Sequence, residues 1–326
     1  MPLYLNEDQA MLRDTARDFM AGEGGIAGQL RHWRDKGCKD GFGHALWKQF
    51  ADMGFTGIRI PEAQGGLGLG HVEAGIVLEE IGRNLTPSPF LVTAVAVVEA
   101  LRGTPHGERW FPGILAGDIV AALAVDEGPK HRPEAIAMKA DRSGNGFRLS
   151  GAKQFVVQGA SADLIVVAAR AEEGVTLFAV EKDATGLETE GVRLVDSSIG
   201  ARMRFDDVEV DADAVIGELG GGEALLTRML NAGRAGAASE MVGLGGAAMA
   251  MTVDYLRQRK QFGRAIGEFQ ALQHRAAHLY AELEIARSAA IKAQQLLDED
   301  SEEADAMVSA AKAKAGWAST LAVQEG

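Results

Sequence analysis

The segment Arg257-Gln258-Arg259-Lys260-Gln261-Phe262-Gly263-Arg264 places four cations within eight residues of a chain that is otherwise acidic. Helical patterning stops before this segment and resumes after it, so the cations stand at helix ends. Clustered Arg and Lys there can hold a phosphate or pyrophosphate. The same residues could instead do no more than complement the negative end of the preceding helix. Other chemistry-bearing groups are sparse. His274 and His278 have the i,i+4 spacing of a zinc pair, but no Glu follows the first and no third ligand is in view, so no metal site is expected. There is no G-x-S-x-G nucleophile elbow and no P-loop. The run Gly65-Gly66-Leu67-Gly68-Leu69-Gly70 has the wrong spacing for G-x-G-x-x-G and no βαβ pattern around it, so it reads as a tight turn between helices.

Composition narrows the classes further. The net charge of −13 argues against nucleic acid or an anionic membrane as the main partner. Cys38 is the single cysteine, which excludes an internal disulfide and a Cys-based metal cluster, and fits a reducing cytoplasm. Residues 1–20 carry charges throughout and no apolar core, so they do not read as a signal peptide. The longest strongly apolar stretch, Phe90–Val98, is about half of what a bilayer span needs. Glycine is abundant (41 residues) and aromatics are few (6%), a balance that suits helices packed closely through small side chains.

The elements that must position these groups fall into three stretches. Residues 1–117 read as an N-terminal all-α domain: Asn6 is a candidate N-cap, and helices are expected over 42–53, 71–81 and 90–101. Residues 118–216 carry short apolar runs at 119–125, 147–149, 155–157, 164–169, 175–180 and 202–210, separated by Gly/Asp/Asn turns. That spacing predicts a small antiparallel β-barrel or sandwich. Residues 217–326 return to long helices over 223–257, 268–297 and 302–324. The middle one has a 3-4 repeat (Phe269, Leu272, Ala276, Leu279, Leu283, Ala286, Ala290, Ala293, Leu297), the mark of a bundle seam. The stripe on the last helix (Met307, Ala311, Ala318, Leu321) has no evident partner after it. Helices, then strands, then helices is an α+β order, not βαβ alternation.

Four segments together resemble the acyl-CoA dehydrogenase family. Residues 259–270 resemble its R-x-x-F-G-x-x-I-x-x-F-Q signature. Pro61-Glu62-Ala63-Gln64-Gly65-Gly66-Leu67-Gly68 is similar to P-E-x-Y-G-G-x-G. Residues 151–159 with Ala162-Asp163 resemble G-x-K-x-W-I-T-N-G-x-x-A-D. Phe205-Asp206-Asp207-Val208-Glu209-Val210 resembles F-x-x-V-x-V/P. Order and spacing agree over nearly the whole chain. The resemblance implies FAD-dependent oxidation of an acyl-CoA thioester to the α,β-enoyl-CoA: a base removes the α-proton and the β-hydride goes to flavin N5. It implies FAD held between the β domain, the helical bundle and a neighbouring subunit of a homotetramer or dimer of dimers, with an electron-transferring flavoprotein as acceptor. On the same ground Arg259 and Gln270, with Phe262 beside them, would reach the FAD pyrophosphate region across a subunit interface. Leu123, Val125 and Asp126 would line the flavin, and Phe155, Val156 and Val157 would lie against the isoalloxazine ring. Arg234 and Asn231 would stand beside the acyl-CoA near the start of a long helix.

The sequence also departs from the family pattern. Its T-E-P-x-x-G-S-D becomes Asp126-Glu127-Gly128-Pro129-Lys130-His131-Arg132-Pro133, so Lys130, His131 or Arg132 would take over the contact of the missing serine. This alteration hints at an unusual acyl group, such as a branched, aromatic or sterol-derived one. Phe155 replaces the Trp against the flavin, and Val157 replaces a hydroxyl residue. The family's catalytic Glu falls either at Gly233, which cannot serve, or beyond Gly326, so no catalytic residue is assigned and the expected reading is a chain lacking the end of its helical domain. The alternatives are a non-catalytic or half-site subunit of a heteromeric dehydrogenase, and a related flavin oxidase or monooxygenase.

Overall fold

The computed structural model describes residues 3–326. In chain order it contains helices α1 (Glu7–Gly22), α2 (His32–Asp35), α3 (His44–Asp52), α4 (His71–Asn84), α5 (Val98–Leu101) and α6 (Pro105–Leu115). Strands follow: β1 (Ala121–Ala124), β2 (Lys139–Ser143), β3 (Gly146–Val157), β4 (Leu164–Ala171), β5 (Gly174–Glu181), β6 (Leu187–Arg193), β7 (Ile199–Val210) and β8 (Val215–Ile216). Then come α7 (Gly222–Gln258), the pair β9 (Lys260–Gln261) and β10 (Arg264–Ala265), α8 (Gln270–Asp298) and α9 (Ala304–Glu325). The α+β order read from the sequence is the observed one.

The chain forms two compact units, and α7 runs through both. The first comprises, among the described residues, 3–28, 70–86 and 234–326. Asn6 caps α1 through its side chain, and Gln9 closes a reciprocal capping box. Helix α4 meets α7 at glycines. A Cβ on Gly82 would stand 2.0 Å from the Glu240 carbonyl oxygen, and one on Gly243 would stand 1.8 Å from that of Glu79. Only hydrogen fits there, which is the close packing that the composition suggests. The stripe of α9 does have partners, and they precede it. Ala315, Ala318 and Ala322 are buried against Ala238 and Val242 of α7 and Leu279, Leu283, Ala286 and Ala290 of α8.

The second unit comprises residues 29–69 and 87–233. Its sheet has the order β6-β7-β3-β2-β4-β5-β8, with β1 also pairing β4. Most pairs are antiparallel, as expected, but β1 and β2 both run parallel to β4. Strand β4 is buried on both faces, which explains its unbroken apolar run. Leu164, Val166 and Ala168 enter a core shared with Val97, Leu101, Phe111 and Met229. Ile165, Val167 and Ala169 enter a second core with Leu149, Val156, Met203 and Phe205.

Three local readings differ from expectation. The runs at 147–149 and 155–157 belong to one long strand, β3. Strands β2 and β6 escape the sequence reading because their burial is slight and their side chains mostly polar. The helix expected at 90–101 is a π-helix over Leu91–Val97 that ends in the short α5. Thr93 joins it to β1: its hydroxyl donates to the Ala121 carbonyl (3.0 Å) and accepts the Ala121 N–H (2.9 Å).

Candidate functional site

In the second unit the structure brings together two of the segments named from the sequence. The Gln154 N–H donates to the Asp126 carbonyl (2.7 Å), so the end of β3 lies along the residues that follow β1. The β3–β7 ladder changes register between Lys153 and Val156. Phe155 sits in this irregularity with φ +53°. An L-residue with such a φ costs about 1 kcal/mol or more. The result is a local reversal of the usual alternation. Phe155 and Val157 are 53% and 43% exposed, while Val156 between them is buried beside Ala201. An aromatic and an aliphatic side chain thus stand side by side on an outer sheet surface, a form suited to one face of a planar aromatic ring.

The remaining residues of this set are placed less directly. Val125 is buried in the first core and Leu123 packs against it, so these two can offer the outer surface little beyond backbone. Val156 is likewise turned inward. The Asp126 carboxylate is engaged within its own loop, by His131 Nδ1 (2.9 Å) and the Arg132 N–H (3.1 Å). Lys130, His131 and Arg132 are exposed on that loop.

Beneath the loop lies an ion pair of a buried lysine and a half-buried carboxylate. Lys153 is fully buried, and its ammonium donates to Glu127 Oε1 (2.8 Å) and to the Val125 carbonyl (3.0 Å). The Glu127 carboxylate also accepts the N–H groups of Ala137 and Met138, each at 3.0 Å. Burial pushes the Lys153 ammonium below the usual lysine value, partly offset by Glu127. Burial also pushes the Glu127 carboxyl up, but Lys153 and the two N–H donors outweigh this and leave it below the ordinary carboxylate value. The spacing G-x-K marks Lys153 in the sequence, yet nothing there identifies its partner.

In the first unit the polar connector is a hairpin. Gln261 pairs with Arg264 around the two-residue turn Phe262-Gly263, whose φ values are +53° and +80°. Positive φ at both central positions is the twist that a two-residue hairpin favours. Phe262 is 91% exposed and makes an edge contact with Phe269. The Arg264 guanidinium covers the Phe269 ring at 4.2 Å. Arg257, Arg259, Lys260 and Gln270 are exposed, and among the described residues no carboxylate forms a salt bridge with these cations or with Arg264. Unpaired cations on a rigid turn can receive a diphosphate.

Asn231, in the second unit, is buried. Arg234 lies well inside α7, not near its start as expected. A Cβ on Gly233 would meet only Ala96, at 3.9 Å, so the position has room for a side chain that this chain lacks. Among the described residues there is no group of His, Cys, Asp and Glu that could hold a metal ion, and His278 faces Glu282.

Comparison with known proteins identifies the family. Three family models match in sequence: the acyl-CoA dehydrogenase N-terminal domain over residues 6–118, the middle domain over 125–208 and the C-terminal domain over 220–325. The acyl-CoA dehydrogenase FadE12 of Mycobacterium tuberculosis is 30% identical across 98% of this chain and 85% of its own length. The chain belongs to the acyl-CoA dehydrogenase family. This is a family of FAD-binding oxidoreductases that act on a CH–CH group. A 2-methylacyl-CoA dehydrogenase of Solanum tuberosum is 34% identical over 74% of this chain, and the match spans 62% of that relative. Among solved structures, a variant of the Tcur3481–Tcur3483 steroid ACAD superposes with a TM-score of 0.88 at 28% identity, over 98% of this chain and 85% of that one.

Proposed function

We propose that the protein oxidises an acyl-CoA thioester to the α,β-enoyl-CoA with FAD as the oxidant. The observation that carries this reading is family membership along nearly the whole chain. In the overall reaction the Cα–H bond gives up a proton to a base, the Cβ–H bond gives up a hydride, and a C=C bond forms. Bound FAD supplies the acceptor for the hydride. The exposed pair Phe155 and Val157 would form a wall against the isoalloxazine ring. The hairpin cations Arg259 and Arg264, with Phe262 and Gln270, would meet the FAD diphosphate of a neighbouring copy. Asn231 and Arg234 would stand toward the acyl-CoA. Lys130, His131 and Arg132 would meet its anionic end. No catalytic base is assigned, since Gly233 offers no side chain.

The rest of the reading follows the family. The chain would act as a homotetramer or dimer of dimers in the cytoplasm and pass electrons to an electron-transferring flavoprotein. Its domains would divide at about residues 117 and 216. Among the described residues no helix is long and apolar enough to cross a membrane. Relatives named for isovaleryl-CoA, 2-methylacyl-CoA and a steroid point to branched and steroid acyl groups as the first substrates to test.

The test is the visible spectrum of the FAD-loaded protein under anaerobic conditions, titrated with straight-chain, branched and steroid acyl-CoAs. Bleaching by one of them, with the enoyl-CoA recovered, is the expected result. A flavin that stays oxidised with every acyl-CoA overturns the reading.

A further inference from the structure

The residues that follow β1 and the end of β3 lie side by side, and one side chain ties them. Lys153 is one of the largest fully buried side chains in the chain. Withdrawing an ammonium from water costs several kcal/mol, and an apolar side chain of similar length would fill the same space without that cost. What the ammonium gains is specific: the carbonyl of Val125 and the carboxylate of Glu127, two residues apart in one loop. Glu127 in turn holds the backbone of Ala137 and Met138 at the far end of that loop. Lys153 is also the last residue in register before the ladder shifts, two residues ahead of Phe155.

We propose that Lys153 and Glu127 form a positioning clamp that fixes the 125–127 segment and holds the irregularity of β3 in place, so that Phe155 and Val157 stay outward. What the clamp serves rests on the FAD reading; the clamp itself does not. It touches no reacting atom. A one-residue slip of β3 would exchange inward and outward side chains, burying Phe155 and exposing Val156. Such a slip would remove the aromatic wall and leave the rest of the sheet paired.

The test uses the full chain with Lys153→Met, which preserves length and removes the charge. Glu127→Gln is the second variant, which keeps one acceptor for Lys153. Binding of FAD to the deflavinated protein is measured well below each variant's melting temperature. Lys153→Met is expected to bind FAD at least about tenfold more weakly, with a bound-flavin visible band moved toward that of free FAD, and Glu127→Gln to fall in between. A role confined to stability would lower the melting temperature and leave both readouts unchanged. A folded Lys153→Met protein that binds FAD within about twofold of the parent, with the parent's spectrum, overturns the proposal. If Lys153→Met does not fold, the same result for Glu127→Gln overturns it. Amide hydrogen exchange tests the clamp without flavin: residues 125–127 and 155–157 should lose protection together in either variant, and loss in one segment alone overturns the proposal. Failure of the parent protein to bind FAD would instead count against the functional reading and leave the exchange result to decide the clamp.

Discussion

Phe155 combines the two demands made on a residue at this site. Its side chain stands in water, and its backbone occupies a conformation that most residues avoid. A β-branched residue would worsen the second demand, because two heavy atoms on Cβ crowd a left-handed backbone. Phe155→Val should therefore cost about 1–2 kcal/mol, read as a lower midpoint in chemical denaturation. Phe155→Asn, which tolerates this backbone, should hold stability close to the parent's and lose the ring surface. Equal stability losses in both variants would contradict the strain argument. At this scale the sequence was legible in its motifs. It named Phe155, Val156 and Val157 as one flavin-facing set, and it could not reveal that the middle one turns inward. Inward and outward follow from the register shift, which depends on pairing with β7, and that pairing leaves no trace in β3 alone.

At the scale of elements, α1, α4 and α8 are joined by charge. Glu80 is 1% exposed and accepts from Arg17 (2.9 Å) and Arg83 (3.0 Å). Glu79 accepts from Arg287 (2.9 Å), which also pairs with Glu284. Burial opposes the Arg287 charge, but Glu79 and Glu284 outweigh it and hold the guanidinium above the ordinary arginine value. Removing Glu80 takes away the one acceptor that Arg17 and Arg83 share, although both guanidinium groups reach water. Glu80→Ala should destabilise by about 1–3 kcal/mol in denaturant unfolding, because the cations it leaves are partly solvated, whereas the neutral Glu80→Gln, which keeps one acceptor, should cost less. A loss below about 1 kcal/mol for Glu80→Ala would mean that water already reaches the network. The long helices were legible because their apolar spacing is regular. This network was not, since its members lie in segments far apart in sequence. The π-helix at 91–97 was hidden for another reason: an apolar run carries no mark of which carbonyl each N–H will choose.

For the whole molecule the sequence order of helices, strands and helices foretold the α+β class, and the Gly-rich composition foretold close helix packing. It did not foretell that the compact units gather distant segments, as when α4 joins α7, α8 and α9. The hairpin at residues 260–265 has a consequence at this scale. It holds Phe262 almost wholly in water, beside cations that, among the described residues, no carboxylate pairs with, a form that could meet something outside its own protomer. If that something is the FAD of another copy, retention of cofactor and retention of quaternary structure are one equilibrium. Diluting the loaded protein should then release flavin and lower the mass together, and excess FAD should restore both. Arg259→Ala should shift the release to higher protein concentration; flavin loss that ignores protein concentration would place the hairpin outside the cofactor's reach. Quantity of protein, in that case, is itself a ligand: a cell making little of this chain would hold it as empty protomers unless FAD were in excess.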